Sequence, residues 1–250
     1  MSFAYPDGSK VLSDLCMTIP AGKTVALLGN TGSGKSTLVH LLQRLYEPTE
    51  GRITIGGVDI KTIDRWYLRA HIGLMLQEPF LYGRTVMGNL AIAASGASEE
   101  EVIEASRVAM ADEFIRDFEK GYDTMIGERG VTLSGGQRQR VAIARTLLKD
   151  NDVLIFDDSL SAVDMETDMR IREELAKRGA SITTIIISHR ISTLCEADRI
   201  FVLENGHISA EGTHRELIEQ DGLYRKIYDI QSALEDDIRS SHDHVAKEGA

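Results

Sequence analysis

The chain has few cysteines, few prolines and a deficit of positive charge. Its 250 residues include two cysteines, Cys16 and Cys195, which are far apart and form no CxxC pair. This argues against a disulfide framework or a cysteine-rich zinc site and suits a reducing cytosol. The four prolines form no linker within residues 1–230. The net charge of −11 argues against a nucleic-acid partner, because sequence-independent binding needs a basic surface.

Long apolar stretches are also missing. No run approaches the ~18 apolar residues that span a bilayer, and the N-terminus lacks the charged-then-apolar pattern of a signal peptide. A role at a membrane would therefore depend on a partner or on a segment outside this sequence. The strand-like segment Ser2–Tyr5 begins immediately, so we expect an excised domain.

Strand-like and helix-like patterns alternate, which predicts an α/β core. Short, nearly continuous apolar runs are typical of parallel strands covered on both faces. The predicted strands are Thr24–Leu28, Arg52–Ile55, Val153–Phe156, Thr183–Ile187 and Arg199–Leu203. The predicted helices are Ser36–Tyr46, stopped by Pro48, Glu99–Met110, capped by Ser98 with Glu101, and Gln137–Leu148. Residues 231–250 are acidic and predict a mobile tail.

A glycine-rich segment follows the first of these strands. Gly29–Ser36 fits the pattern GxxxxGK[ST] in full, between an apolar strand and an apolar-periodic helix. Glycines let the backbone wrap a triphosphate, and the helix N-terminus adds its positive dipole end. Lys35 would reach the β- and γ-phosphates and the Ser36 hydroxyl would bind Mg²⁺. The alternative is a glycine-rich turn without a ligand. The predicted contact residues are Gly29, Asn30, Thr31, Gly32, Ser33, Gly34, Lys35, Ser36 and Thr37.

A second predicted strand, Val153–Phe156, leads into two carboxylates, Asp157 and Asp158. The carboxyl ends of core strands are where doubly wound sheets bind ligands. Asp157 is placed to hold Mg²⁺, largely through water, and Asp158 to orient or deprotonate an attacking water. A solvated strand end is the competing interpretation.

The segment Leu133-Ser134-Gly135-Gly136-Gln137, continued by Arg138–Arg145, resembles the signature motif of ABC (ATP-binding cassette) ATPases. A serine and two glycines at a helix start offer an anion N–H groups, a hydroxyl and a helix dipole together. The resemblance implies that these residues contact the ATP bound to the opposite subunit, so that two domains clamp two ATP molecules head to tail. A simple helix cap is the other interpretation. The implied contacts in trans are Ser134, Gly135, Gly136 and Gln137.

Other motifs of that family follow in the same order. Tyr5 resembles the aromatic residue that stacks on adenine, although it could also be a strand-end residue of the core. Gln77 resembles the glutamine that senses Mg²⁺ and contacts the transmembrane coupling helices. Ser161–Asp164 resembles the loop that crosses to the partner's site, and this implies a nucleotide contact for Asp164. His189, after a predicted core strand, resembles the switch histidine that contacts the γ-phosphate.

The resemblance implies a RecA-like P-loop NTPase core with a small antiparallel β subdomain and an α-helical subdomain at about 78–150, within a domain of residues 1–230. Gly127–Gly130 and Phe80–Leu90 resemble exporter segments. The resemblance therefore implies a second nucleotide-binding domain, an attached transmembrane domain and a location at the cytoplasmic face of the cell membrane. DNA-repair and translation ATPases are the other branch. The former carry a long coiled coil between their motifs, which this sequence lacks, and the latter carry two cassettes.

One residue departs from the family pattern. Asp158 stands where the family usually has a catalytic Glu. Its side chain is one methylene shorter, which retracts the carboxylate by roughly 1–1.5 Å. A misplacement of about 1 Å can cost on the order of a hundredfold in rate. We therefore expect a slow site paired with a different chain that carries the Glu. The alternative is that Asp158 serves as an ordinary base in a homodimer.

Overall fold

The computed structural model describes residues 1–94, 96–127, 131–149, 151–158, 167, 170, 173 and 182–234. The strands are β1 (Phe3–Ala4), β2 (Lys10–Leu12), β3 (Thr24–Leu28), β4 (Thr54–Ile55), β5 (Val58–Asp59), β6 (Ile72–Met75), β7 (Val153–Asp157), β8 (Thr183–Ile187), β9 (Arg199–Glu204) and β10 (His207–Gly212). The helices are α1 (Lys35–Leu42), α2 (Arg65–His71), α3 (Val86–Leu90), α4 (Glu99–Val108), α5 (Asp112–Arg116), α6 (Gly135–Leu147), α7 (Ile191–Leu194), α8 (His214–Ile218) and α9 (223–234).

Within these residues the central sheet has six strands in the order β10-β9-β3-β8-β7-β6. All neighbours are parallel except β10, which pairs antiparallel with β9. The predicted bounds of β3 and β8 are confirmed, and β7 and β9 each extend one residue further. β4 covers only half of the predicted strand Arg52–Ile55, because its antiparallel pairing with β5 is limited to Thr54 and Ile55.

The parallel strands β3, β7 and β8 are buried on both faces, as their apolar sequences predict, while the edge strand β10 has one exposed face. In β8, Ile185 and Ile187 pack with α1 residues on one face, while Ile186 joins the cluster formed by α3, α4 and α6 on the other. This is the alternation that a strand imposes on successive side chains. α1 follows the glycine-rich segment, and α6 follows the serine of the signature motif, so both faces of the sheet carry a helix that begins at a candidate site.

Two predicted helix ends are wrong. α1 ends at Leu42, four residues before Tyr46, and α4 ends at Val108, two residues before Met110. Arg44 and Met110 follow the caps with φ of 50° and 54°, in the left-handed region. In α1 the N–H groups of Arg44 and Leu45 return to Leu41 O and His40 O at 3.0 and 2.9 Å. This is a Schellman ending, normally built on Gly, so Pro48 is not what stops the helix.

The helix starts agree better with the sequence. Ser98 caps α4 in a capping box with Glu101, as predicted. α6 begins at Gly135, two residues before the predicted Gln137, because Ser134 is its N-cap. α9 runs through residues 231–234, so the boundary predicted at residue 231 falls inside a helix, and the rest of the predicted tail lies outside the described residues. In the described part of the chain, no helix has both the length and the apolar character needed to cross a bilayer.

A buried amide organises the segment before α3. Asn89 is fully buried. Its Oδ1 accepts from the Tyr82 N–H at 2.8 Å, and its Nδ2 donates to Tyr82 O at 2.9 Å and Thr85 O at 3.1 Å. Asn89 thus supplies the acceptor of the Tyr82 N–H and adds a second donor to Tyr82 O and Thr85 O, which also accept from the backbone N–H groups of Arg84 and Asn89.

Replacing Asn89 by Ala should therefore lower the free energy of unfolding by about 1–3 kcal/mol, because the Tyr82 N–H loses its acceptor and Tyr82 O and Thr85 O each lose one of their two donors. Urea unfolding measures this change. Ser209→Ala, which removes a partly exposed hydroxyl, is the matched control and should change stability by less than ~0.5 kcal/mol. An Asn89→Ala variant as stable as the control would contradict this role.

Candidate nucleotide site

The glycine-rich loop is shaped by close backbone contacts. It connects β3 to α1 at the carboxyl end of the sheet. A Cβ on Gly29 would collide with Leu203 O in β9 and with the Ser33 hydroxyl. At Gly34, φ is 107°, and a Cβ would lie 2.5 Å from the Leu12 side chain. Only glycine fits at either position, so the loop keeps its backbone N–H groups accessible at the start of α1.

The Lys35 side chain folds back onto carbonyl groups of this loop. Its Nζ donates to Gly29 O at 2.5 Å and to Asn30 O at 2.9 Å. Burial lowers the pKa of Lys35, while the charges of Asp157 and Asp158 raise it. The ammonium therefore lies at the centre of the loop and faces the two carboxylates across the site.

Two carboxylates follow one another at the end of β7. Burial raises the pKa of Asp157 above its usual range, the neighbouring Asp158 charge raises it further, and Lys35, His40 and His189 oppose the shift. Asp158 lies in the left-handed region with φ of 47°, and its N–H donates to Ile187 O at 2.8 Å. Asp158 thus has a backbone conformation that residues other than glycine rarely adopt, and its N–H is hydrogen-bonded directly to β8.

The donor set fits a magnesium ion that is shared with phosphate oxygens. Asp157, Gln77 and the Ser36 hydroxyl line one cavity. Across the described residues, His, Cys, Asp and Glu side chains form no cluster of three that could hold a metal by themselves. Mg²⁺ keeps several waters and is usually held by one or two carboxylates plus substrate phosphates, so a sparse donor set is suited to it. A bound cation would also relieve the repulsion between Asp157 and Asp158.

Tyr5 lines the same cavity. Its hydroxyl lies 3.1 Å from the Thr37 hydroxyl, and its ring meets the Tyr46 ring edge-on at a centroid distance of 5.3 Å. The Phe3 ring also packs edge-on against the Tyr5 ring, at a centroid distance of 5.0 Å. Sequence reasoning missed Tyr46, because it was placed inside the predicted first helix rather than beyond its end.

His189 lies two residues after the end of β8, and it is exposed and lines the cavity. Gln231, in α9, donates from Nε2 to His189 O at 2.6 Å and accepts from the Ile191 N–H at 2.8 Å. Sequence reasoning also missed Gln231, since a lone glutamine near an acidic segment gives no signal of its partner.

The cavity has a volume of about 420 Å³ and brings together most of the residues predicted to bind nucleotide within this chain. Gly29, Asn30 and Ser33 belong to the same loop without lining the cavity. The predicted residues that line it are Tyr5, Thr31, Gly32, Gly34, Lys35, Ser36, Thr37, Gln77, Asp157, Asp158 and His189.

The signature segment lies apart from this cavity. Ser134 Oγ accepts from the Gln137 N–H at 3.2 Å, and Gln137 Oε1 accepts from the Ser134 N–H at 2.9 Å. None of Ser134, Gly135, Gly136 and Gln137 lines the cavity that contains Lys35. The remaining predicted contact, Asp164, lies outside the described residues, as do Glu128–Gly130.

Known proteins are similar to this chain over nearly its whole length. The family model described as ABC transporter matches residues 12–161. The mitochondrial potassium channel ATP-binding subunit of Xenopus tropicalis is 49% identical over 227 residues, which are 90% of this chain and 33% of the relative. The putative multidrug export ATP-binding/permease protein YgaD of Bacillus subtilis (strain 168) is 45% identical over 233 residues, 93% of this chain and 40% of the relative.

A solved structure gives the same picture. The structure of a bacterial Atm1-family ABC exporter with ATP bound has a TM-score of 0.88 at 41% identity, and covers 92% of this chain and 40% of that one. The chain thus spans less than half the length of these relatives. The match confirms the predicted α/β fold class. On the extent of the family match and these identities, the chain belongs to the ABC transporter family.

Proposed function

We propose that this chain binds MgATP and pairs head to tail with a second nucleotide-binding domain to drive export through an attached transmembrane domain. The observation that carries the proposal is the single cavity that holds Lys35, Ser36, Asp157, Asp158 and His189 together. A loop of N–H groups, an ammonium and paired carboxylates at one sheet edge suit a metal-bound triphosphate better than any uncharged ligand.

Each side of the cavity has a proposed role. Tyr5 stacks on adenine, the loop from Gly29 to Thr37 wraps the phosphates, and Lys35 contacts the β- and γ-phosphates. Ser36, Asp157 and Gln77 hold Mg²⁺, which when bound neutralises phosphate charge. His189 contacts the γ-phosphate from the end of β8. Burial of Asp157 and its proximity to Asp158 support this assignment, because both favour the binding of a cation.

The signature residues act on the partner's ATP in this proposal. Ser134 is the exposed N-cap of α6, and the first N–H groups of a helix have no acceptor within it. Gly135 and Gly136 leave those groups uncovered. Because the segment lies apart from this chain's own cavity, a second domain is required to bring ATP to it. Gln137 and Asp164 complete this trans contact in the proposal.

Export at the cytoplasmic face of the membrane is the proposed process. One relative is named as a putative multidrug export protein, and the solved structure is an exporter with ATP bound. The nucleotide-binding domain extends from residue 1 through α9 in this proposal, rather than ending at residue 230, with a helical subdomain at about 78–150 and the acidic tail beginning after residue 234. The buried cluster that joins α3, α4 and α6 supports the subdomain, and Gln77 connects it to the site and to transmembrane coupling helices.

We assign slow hydrolysis to this chain's own site, and a faster site to a partner that carries Glu. The support is the short side chain of Asp158 on a backbone that its hydrogen bond to Ile187 O holds in place. A backbone fixed in this way cannot advance by the length of a methylene group. The second candidate is a competent homodimer, favoured by the presence of Asp158 in the same cavity as Lys35 and His189.

Phosphate release under saturating MgATP, at several protein concentrations, separates these two possibilities. We expect the parent to be nearly silent and Asp158→Glu to be faster by about tenfold or more, within the roughly hundredfold cost of a misplacement of about 1 Å. The rate should climb faster than linearly with protein concentration, since the site needs a second domain. Lys35→Ala is the variant that cannot bind ATP, and Asp158→Asn removes the base.

If the parent turns over readily and Asp158→Asn abolishes the reaction, Asp158 is a working base and the homodimer becomes the better reading. Thermal unfolding of each variant is measured alongside, because residue 158 lies in the left-handed region, where longer side chains are less well tolerated.

The trans role of the signature motif has a matched test within the chain. Ser98→Ala and Ser134→Ala remove the same kind of capping box. Each should lower the free energy of unfolding by about 1 kcal/mol. Only Ser134→Ala should also reduce MgATP-dependent dimerisation, measured by light scattering, in the slow-hydrolysing Asp158→Asn background. Equal dimerisation by the two variants would leave Ser134 with a capping role alone.

A further inference from the structure

The last described helix is anchored to the core beneath the nucleotide site. Tyr224 of α9 is 2% exposed and packs with Leu28 of β3 and Leu194 of α7. Its hydroxyl lies 2.7 Å from Nδ1 of His214 in α8. Residues Ile227 and Tyr228, one turn further along, pack against the same cluster. The position of α9 is therefore fixed relative to the strands that carry the site.

Gln231 extends from this anchored helix to the backbone after β8. Its side-chain amide donates to His189 O at 2.6 Å and accepts from the Ile191 N–H at 2.8 Å. The two bonds lie on either side of Arg190. An amide side chain can make both at once because it carries a donor and an acceptor. One rigid group thus sets the direction of both peptide units that flank Arg190.

The second of these bonds replaces a missing cap. α7 begins at Ile191, and the side chain of its N-cap residue, Arg190, makes no capping hydrogen bond. The first N–H groups of a helix need acceptors from outside it. Gln231 supplies one from a position 40 residues later in the chain. The start of α7, and with it the end of the loop that carries His189, is defined by α9.

The other end of the same loop is held by the sheet. The carbonyl of Ile187, the last residue of β8, accepts from the Asp158 N–H at 2.8 Å. Between Ile187 and Ile191 the backbone is therefore fixed at both ends, and His189 lies between these two points. The direction of a side chain follows from the backbone that carries it, so the amide of Gln231 helps to determine where the imidazole points.

We propose that Gln231 is a positioning residue that holds the His189 backbone so that the imidazole faces the γ-phosphate of bound ATP. This inference rests on the proposed function for the identity of that ligand. In this proposal α9 contributes to the nucleotide site, although the helix begins after all the motifs identified in the sequence.

The test compares three variants in the otherwise unchanged chain. Gln231→Leu has a similar size and makes neither bond. Gln231→Glu keeps an acceptor for the Ile191 N–H and loses the donor to His189 O. Ile230→Ala is the control on the same helix, since the Ile230 side chain is 61% exposed. The first readout is the imidazole signal of His189 in ¹³C-histidine NMR without nucleotide, assigned with His189→Ala among the seven histidines.

We expect one sharp His189 signal in the parent and in Ile230→Ala, and a broadened or split signal in Gln231→Leu, with Gln231→Glu between them. MgATP affinity should stay within about twofold in all three, because the loop from Gly29 to Thr37 is untouched. In the Asp158→Glu background, kcat for phosphate release should fall about tenfold in Gln231→Leu with little change in KM, less than the roughly hundredfold cost of a misplacement of about 1 Å. Adding Gln231→Leu to His189→Ala should cause no further loss, because both act through one group.

An unchanged His189 signal in Gln231→Leu would overturn the proposal, as would a loss in kcat that is equally large with and without His189. The same change of signal in Ile230→Ala would show a general loosening of α9 and would also overturn it. A parent that does not bind MgATP would refute the proposed function instead, and the nucleotide-free NMR comparison would still decide whether Gln231 holds His189.

Discussion

The parallel register of three central strands is the constraint on which the candidate site depends. Leu27 of β3 and Asp157 of β7 both pair with Ile187 of β8. The chain therefore leaves all three strands at the same level. Because parallel strands end at one edge, the pairing of these strands brings together the loop at Gly29, the carboxylate of Asp158 and the imidazole of His189, which are far apart in the sequence. A slip of one residue would shift a strand by about 3.3 Å and turn its side chains to the other face.

Charge is concentrated at that edge at a cost to the protein. Lys35 and Asp157 are both half-buried. Burial lowers the pKa of Lys35 and raises the pKa of Asp157, so in both cases it favours the neutral form. Their mutual attraction offsets part of this cost. Partners of opposite charge reduce the cost of burying charges, so a metal-bound phosphate chain would complete an electrostatic arrangement that the protein alone leaves unfinished. The edge is thus pre-organised for a ligand with both signs of charge.

The sequence predicted the strands well and the helix ends poorly, for different physical reasons. β3 and β8 are runs of apolar residues bounded by polar ones, and burial on both faces leaves little freedom in where they begin and end. α1 and α4 instead end two residues before Arg44 and Met110, which occupy a backbone region where glycine is expected. Nothing in either side chain signals this, because the hydrogen bonds of the ending are made by backbone groups alone.

The residues of the candidate site also differ in whether the sequence reveals them. Residues next to one another in the chain, such as those of the glycine-rich loop or the pair Asp157 and Asp158, were found because the motif and the geometry are both local. Tyr46 and Gln231 contribute through contacts with rings or backbone elsewhere in the chain. Such contacts depend on the tertiary fold, and a polar or aromatic residue on a helix or loop has no pattern that reveals its partner.

The distance in sequence between Gln231 and His189 has a consequence for how the molecule is made. The bond spans 42 positions, and it runs from the later residue to the earlier one. A ribosome that has just produced β8 must add about 40 further residues, including the first part of α9, before Gln231 can hold the loop. A contact between residues far apart in the sequence can form only after both of them have been synthesised, and a domain generally folds as a unit. The loop that carries His189 therefore lacks its second anchor until α9 has been synthesised, and a chain shortened to end before Gln231 would keep β8 but lose the amide that holds His189.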